Sequence, residues 1–166
     1  MPSTRSGPAS APHLRQRVSI SPAPSCTRCA GRGVRRAVLD PGVLVSALIS
    51  PTGAPARLIG KAHSGELELI VSPLLFQELE QVLARKKFRR YVSLDVVDDY
   101  LTLLRRIAIT VRDPDDPPPL RSGDPDDDYL IALAHSHGAH LVSGDRHLLE
   151  IAGGAPIVAP ADFLVD

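Results

Sequence analysis

The chain has 166 residues, of which 43% are apolar, and this is enough for one globular domain with a core of useful size. No apolar run approaches the roughly 18 residues that a membrane-spanning helix needs, so we expect a soluble protein without a membrane partner. Both cysteines, Cys26 and Cys29, lie near the amino terminus, which excludes a disulfide framework for the fold and is compatible with a reducing cytoplasm.

The formal net charge of zero hides a strong asymmetry along the chain. Residues 1–36 hold seven of the 19 basic residues and no acid, so the rest carries 12 bases against 19 acids, a net charge of −7. Residues 1–33 are rich in Pro, Ser, Ala, Gly and Arg and lack apolar periodicity, which predicts a disordered basic segment before a folded domain over 34–166. Either an organellar transit peptide or a start codon assigned upstream explains such a leader. We interpret its Cys26-x-x-Cys29 pair as incidental, because zinc needs two further ligands.

Apolar runs of strand length alternate with helical patterns along the rest of the chain. Strands are predicted at 36–39, 67–71, 107–111, 141–143 and 156–159. Helices are predicted at 43–49, 54–62, 73–83, 94–107, 125–137, 145–151 and 160–164, with Pro41-Gly42 as a break and 113–122 as a loop. This alternation implies right-handed crossovers and a mainly parallel sheet of about five strands, covered on both faces by helices.

Acidic residues concentrate where predicted strands end and the next helices begin. Asp40 follows the first strand, Asp145 follows the fourth, and four aspartates crowd the start of the helix between them, namely Asp124, Asp126, Asp127 and Asp128. Because the carboxyl ends of parallel strands meet at one edge of a sheet, we expect a strongly negative rim there. As alternatives, Asp40 merely caps its helix, and the four aspartates form a solvated cap that gains about 0.3–1 kcal/mol each from the helix dipole. Mutual repulsion of neighbouring carboxylates favours a divalent-metal site instead.

Two further groups are candidates for the same rim. Glu78 lies beside the apolar stripe of its helix, where it either reaches into a cleft or remains a surface glutamate. A dense basic cluster interleaved with Phe88 and Tyr91 follows that helix; its cations are Arg85, Lys86, Lys87, Arg89 and Arg90. This cluster either holds nucleic-acid phosphates while an aromatic ring stacks on a base, or forms the cationic end of a helix.

Oxygen ligands without histidine or cysteine suit Mg²⁺ or Mn²⁺. Two such ions about 3.5–4 Å apart activate water and stabilise the leaving oxygen of a phosphodiester. The nearby histidines are interpreted as surface groups or as groups outside the ligand shell; they are His135, His137, His140 and His147. A phosphatase with a nucleophilic aspartate is disfavoured, because Pro41-Gly42 follows Asp40 where a second acid is expected.

Four segments, in this order and spacing, make the chain resemble a PIN domain. They are Asp40 followed by Val-Leu-Val-Ser-Ala-Leu at 43–48, Ser-Pro-x-Leu-x-x-Glu-Leu at 72–79, Asp-Pro-Asp-Asp-Asp-Tyr-Leu-Ile-Ala-Leu-Ala at 124–134, and Leu-Val-Ser-Gly-Asp at 141–145. The resemblance runs from about Arg36 to the carboxyl terminus and is greatest to VapC-like toxin components of bacterial toxin–antitoxin systems.

This resemblance implies a three-layer α/β/α sandwich and a Mg²⁺- or Mn²⁺-dependent endoribonuclease that hydrolyses RNA phosphodiesters with metal-activated water. It implies Asp40, Glu78, Asp128 and Asp145 as the catalytic, metal-binding acids, with Asp127 able to exchange roles with Asp128 and Asp124 able to assist. It also implies a cytoplasmic homodimer, inhibited by an antitoxin protein whose segment enters the acidic cleft.

Two positions depart from the family pattern. Asp-Pro-Gly stands at 40–42 where the family usually has Asp-Thr-Asn, and His147 stands where an aspartate is common. Loss of groups that orient metal ligands typically costs 10–100-fold in metal affinity or activity. We therefore expect weak or narrowly specific cleavage, and the alternative is an inactive PIN fold that serves as an RNA- or protein-binding module.

Overall fold

A central parallel sheet organises residues 33–165, which are the residues described by the computed structural model. Its strands are β1 (Arg35–Leu39), β2 (Leu67–Val71), β3 (Ile109–Thr110), β4 (His140–Val142) and β5 (Ile157–Val158). Their order across the sheet is β3-β2-β1-β4-β5, and all four pairings are parallel. The predicted parallel sheet is confirmed.

Helices cover both faces of this sheet and complete the predicted α/β/α sandwich. They are α1 (Pro41–Ile49), α2 (Ala54–Ser64), α3 (Pro73–Leu83), α4 (Leu94–Ile107), α5 (Asp128–Ser136), α6 (Arg146–Glu150) and α7 (Pro160–Phe163). Local signals explain several of their ends. Ser72 caps α3 by accepting from the Leu75 amide at 3.4 Å, and Gly65 ends α2 in the left-handed conformation at φ 78°.

The strand order creates a switch point beside β1. After β1 the chain moves to one side to form β2 and β3, and it later returns to the other side to form β4 and β5. In open parallel sheets, ligands bind in the crevice outside the carboxyl ends of the strands at such a point. Asp40 directly follows β1, and Asp145 lies three residues after β4, so both lie at this crevice.

The core is apolar on both sides of the sheet. Residues 37–39 of β1 are fully buried, and the Tyr100 hydroxyl fixes α4 to α1 by donating to the Leu44 carbonyl at 2.9 Å. Within residues 33–165, no buried side-chain nitrogen or oxygen atom lacks a hydrogen-bond partner. In the same residues, no single helix is long and apolar enough to cross a membrane. Only α1 and α2 taken together have the required length and apolar character, and the two helices are bent by 96° relative to each other.

Two predicted element boundaries were wrong for identifiable reasons. Pro41 and Gly42 do not break the chain but are the first residues of α1, because proline suits the first helical position and Asp40 caps the helix. The acidic helix does not begin at Pro125: Pro125–Asp127 is a 3-10 turn capped by Asp124, and α5 begins at Asp128. The predictions for residues 1–33, including the cysteine pair, lie outside the described residues apart from Gly33, at which these begin.

Substituting Leu69 by Ala tests the core. Leu69 is fully buried in β2, so we expect Leu69→Ala to lower the free energy of unfolding by about 2–5 kcal/mol. Leu94→Ala is the matched control, because Leu94 is 58% exposed, and it should change this energy by less than about 0.5 kcal/mol. Urea denaturation measures both, and equal losses would contradict the packing described.

Candidate active site

Asp40 is held rigidly over the junction of β1 and β4. Its backbone amide donates to the Val142 carbonyl at 3.0 Å, which continues the β1–β4 pairing. One carboxylate oxygen accepts from the Gly42 amide at 2.6 Å, and the other accepts from the hydroxyl of the fully buried Ser143. Burial raises the pKa of Asp40, the two hydrogen bonds oppose that rise, and the Asp145 carboxylate adds to it.

Asp145 is fixed beside Asp40 by the same serine. Its amide donates to the Ser143 hydroxyl at 2.9 Å, and its carboxylate caps α6 by accepting from the His147 amide at 2.7 Å. Asp40, Gly144 and Asp145 line a cleft of about 350 Å³ together with Pro55 of α2. The cleft therefore opens at the switch point of the sheet.

Asp127 lies at the electrostatic centre of the site. Partial burial, followed by repulsion from neighbouring carboxylates, raises its pKa to about 6. Three of the carboxylates that act on it come from other segments, namely Asp40, Asp145 and Glu78, and the fourth, Asp124, caps the same 3-10 turn. We call these five side chains the acidic cluster. Segments far apart in the chain thus concentrate negative charge at one place.

Glu78 joins the acidic cluster from α3 through a tyrosine of α5. The Tyr129 hydroxyl donates to Oε2 of Glu78 at 2.5 Å, and both side chains are partly buried. Burial, this hydrogen bond and the carboxylates of Glu78, Asp40 and Asp127 all raise the pKa of Tyr129. The sequence analysis missed Tyr129, because its place between acidic and apolar residues gives no signal of a partner on another helix.

Asp128 makes different contacts from those of its neighbour. It is buried at the start of α5 and accepts from the Ser122 amide at 2.8 Å, with the Arg121 guanidinium at 3.5 Å. It is not among the carboxylates that raise the pKa of Asp127. The structure therefore brings Asp40, Glu78, Asp127 and Asp145 together, while the Asp128 carboxylate ties the proline-rich loop to α5.

The acidic cluster fits a hard divalent cation in chemistry, although its side chains are not arranged around one. Its donors are carboxylate oxygens, and burial followed by repulsion from neighbouring carboxylates raises the pKa of Asp127. Across residues 33–165, no three side chains of His, Cys, Asp or Glu are placed to hold a metal ion together. Holding a cation therefore requires side-chain movement within the acidic cluster.

Comparisons with known proteins agree with this fold. A family model described as PIN domain matches residues 36–147. MJ1680, an uncharacterized protein of Methanocaldococcus jannaschii, is 24% identical over 117 residues, which cover 70% of this chain and 74% of that protein. The crystal structure of PAE2754 from Pyrobaculum aerophilum has a TM-score of 0.53 at 22% identity, covering 80% of this chain and 88% of that chain. At this identity, the structural likeness speaks for the fold alone.

Asp127 should make the folded state less stable at neutral pH when no metal is present. Its pKa is about 6 in the folded state and near 3.8 when unfolded, so the folded state binds more protons between these values. In EDTA, its contribution to the free energy of unfolding therefore falls as the pH rises from about 4 to about 6.

We expect Asp127→Asn to be more stable than the parent at pH about 7.5 by about 1 kcal/mol, discounted for solvent screening, and to lose this advantage near pH 4. Urea denaturation at both pH values measures the difference, with the exposed neighbour variant Asp126→Asn as the control. An Asp127→Asn variant no more stable than the parent at the higher pH would contradict the assigned charge environment.

Proposed function

Because this chain belongs to the PIN domain family, we propose that it is a divalent-metal-dependent endoribonuclease that hydrolyses phosphodiester bonds of RNA. PIN domains are generally nucleases, so membership supports a hydrolase at the coarse level. The observation that carries the finer proposal is that three carboxylates from other segments, those of Asp40, Glu78 and Asp145, act on Asp127. Asp40 and Asp145 also cap helices, but capping alone does not require their carboxylates to lie near Glu78 of α3.

We assign Asp40, Glu78, Asp127 and Asp145 to hold Mg²⁺ or Mn²⁺, with Asp124 beside them. A bound divalent cation supplies Lewis-acid stabilisation of the charge that develops on a phosphodiester during hydrolysis. The protein contributes orientation: Ser143 fixes both Asp40 and Asp145, and Tyr129 directs Glu78. Such hydrogen bonds to ligand residues reduce the reorganisation that binding and catalysis require.

Asp128 receives a positioning role in this proposal. Its hydrogen bonds to Ser122 and Arg121 hold the loop that leads into the 3-10 turn carrying Asp127. The resemblance alone implies Asp128 as the third metal-binding acid, with Asp127 able to take over that role. The contacts of the two carboxylates favour the reverse assignment.

A second candidate function is an inactive PIN fold that binds RNA or protein. Two observations favour it: Pro41-Gly42 replaces two polar side chains near the ligands, and no three candidate ligands in the described part of the chain are pre-arranged around an ion. Against it, the Gly42 amide and the Ser143 hydroxyl already orient Asp40. We therefore favour a nuclease of reduced or narrow activity.

The cellular role follows only from the resemblance to VapC-like proteins. We propose a cytoplasmic toxin of a toxin–antitoxin pair, a homodimer whose antitoxin places a segment in the acidic cleft. A short reading frame for a DNA-binding protein beside the gene would support this role, and co-purification of the two products would test it directly.

The neighbouring aspartates give the sharpest test of the site. We expect the protein with Mg²⁺ or Mn²⁺ to cleave single-stranded RNA, and Asp40→Ala or Asp127→Asn to lower the rate by about 100-fold or more, the scale of losing one transition-state contact. Asp128→Asn keeps an oxygen that accepts from Ser122, so we expect a loss of about tenfold or less. Gel analysis of end-labelled RNA measures the rates, with circular dichroism as the folding control. If Asp40→Ala and Asp127→Asn both cleave at the parental rate, the proposal is wrong.

Metal binding separates the enzyme from the binding module without an activity assay. We expect calorimetric titration with Mn²⁺ to show binding at or below millimolar concentrations to the parent, and at least tenfold weaker binding to Asp127→Asn, because one charged donor is lost. Asp162→Asn, an exposed acid on α7, is the control and should bind like the parent. No binding to the parent at millimolar Mn²⁺ would favour the module.

A further inference from the structure

Arg85, the first residue of the basic cluster after α3, lines a groove that also contains Glu78 of the acidic cluster. We propose that single-stranded RNA lies along this groove, with its backbone held by Arg85 and its neighbours while the cleaved bond lies at the acidic cluster. The inference rests on the proposed nuclease function and extends it by assigning the path of the substrate strand.

The cations of the basic cluster are free to bind a polyanion. All five side chains are exposed, and none forms an ion pair with a carboxylate among residues 33–165. They also do not occupy the last turn of α3, which contains no basic residue. The favourable effect of a cation on a helix dipole fades beyond the last turn. It therefore does not explain most of the charges in the basic cluster.

One groove along α3 holds a member of each cluster. This cleft of about 490 Å³ is lined by Glu78, Tyr129 and Arg85, together with Gln77 and Gln81, and Gln81 lies between Glu78 and Arg85 in the sequence. Glu78 and Arg85 are seven residues apart, or roughly 10 Å at the rise of a helix. One strand of RNA can therefore contact both residues at the same time.

The charge pattern of the domain makes such a contact necessary. The acidic cluster repels phosphates, and residues after 36 carry a net charge of −7, so a polyanion needs a local source of positive charge. The basic cluster supplies five of the 12 cations in that part of the chain. The groove thus offers cations for the backbone and two neutral amides for sugars and base edges.

Aromatic side chains among the cations favour single-stranded RNA over an acidic protein segment. Tyr91 is 59% exposed, and the Arg90 guanidinium lies 4.8 Å from its ring centroid, while the Lys87 amine lies 4.9 Å from that of Phe88. The exposed Tyr91 ring beside its cation can stack on an unpaired base, which a protein segment does not provide, whereas Phe88 is partly buried against the core.

Charge-neutral variants of the full chain test the path by binding alone. The assay is fluorescence anisotropy of an end-labelled, mixed-sequence single-stranded RNA of about 20 nucleotides in EDTA, where the proposed nuclease leaves RNA intact. The test variant is Arg85→Gln with Lys86→Gln. The control is Arg36→Gln with Lys61→Gln, which removes the same residue types near the amino ends of β1 and β2, away from the site.

We expect the test variant to bind RNA about 25-fold more weakly than the parent at about 0.1 M salt, and its salt slope to fall by about 1.4, since each phosphate contact contributes about 0.7. The control should stay within about twofold of the parent. Tyr91→Ala should weaken binding about fivefold or more without changing the salt slope, because stacking releases no counterions.

The outcomes separate this inference from the proposed function. If the parent cleaves RNA but the test variant binds it as tightly as the control does, the groove path is wrong and the nuclease assignment stands. If the parent does not cleave with Mn²⁺ but the test variant alone loses binding, the groove stands and the nuclease assignment fails. If a poly-glutamate peptide displaces RNA at equal charge concentration, the surface suits an acidic protein partner and the RNA path is overturned.

Discussion

The site depends on the pairing of β1 with β4, because this pairing fixes two carboxylates where they repel each other. The Asp40 amide extends the pairing by one hydrogen bond, and buried Ser143 then contacts both Asp40 and Asp145. Further hydrogen bonds from the Gly42 amide and the Ser143 hydroxyl orient the Asp40 carboxylate, and one from the His147 amide orients that of Asp145. The fold thus keeps negative charge at its switch point, where a parallel sheet leaves a crevice.

The other acids reach the same place through tertiary packing. The 3-10 turn brings Asp127 to the crevice, while Asp128 anchors the preceding loop and Tyr129 contacts Glu78 of α3. Three consecutive residues therefore have three different tasks. Burial raises the pKa of Asp127, and repulsion from the neighbouring carboxylates adds to that rise, as happens at many functional sites. A divalent cation is the natural counterion for such a cluster of oxygen donors.

Most of the fold could be predicted from the sequence, because its signals are local. The strand at 67–71 and the helices at 73–83 and 94–107 were predicted at their observed bounds, since apolar periodicity, Ser72-Pro73 and the following turns all agree there. The start of α1 was misplaced, because proline and glycine suit both a break and a capped first turn.

The site could be predicted only as a set of acids at one rim. Neighbouring side chains in a helix point roughly 100° apart, so choosing between Asp127 and Asp128 requires knowing that a 3-10 turn precedes α5. The contact between Glu78 and Tyr129 joins residues 51 positions apart, and the role of Ser143 requires the β1–β4 register. Neither leaves a local pattern in the sequence.

Carboxyl NMR of ¹³C-labelled protein tests the central claim most directly, because it observes the ionisation of each aspartate. In EDTA, the account predicts that Asp127 titrates with a pKa of about 6, and that saturating Mg²⁺ moves this titration well below its metal-free position. A resonance of Asp127 that titrates near its ordinary value of 3.8 and does not respond to Mg²⁺ would contradict the account.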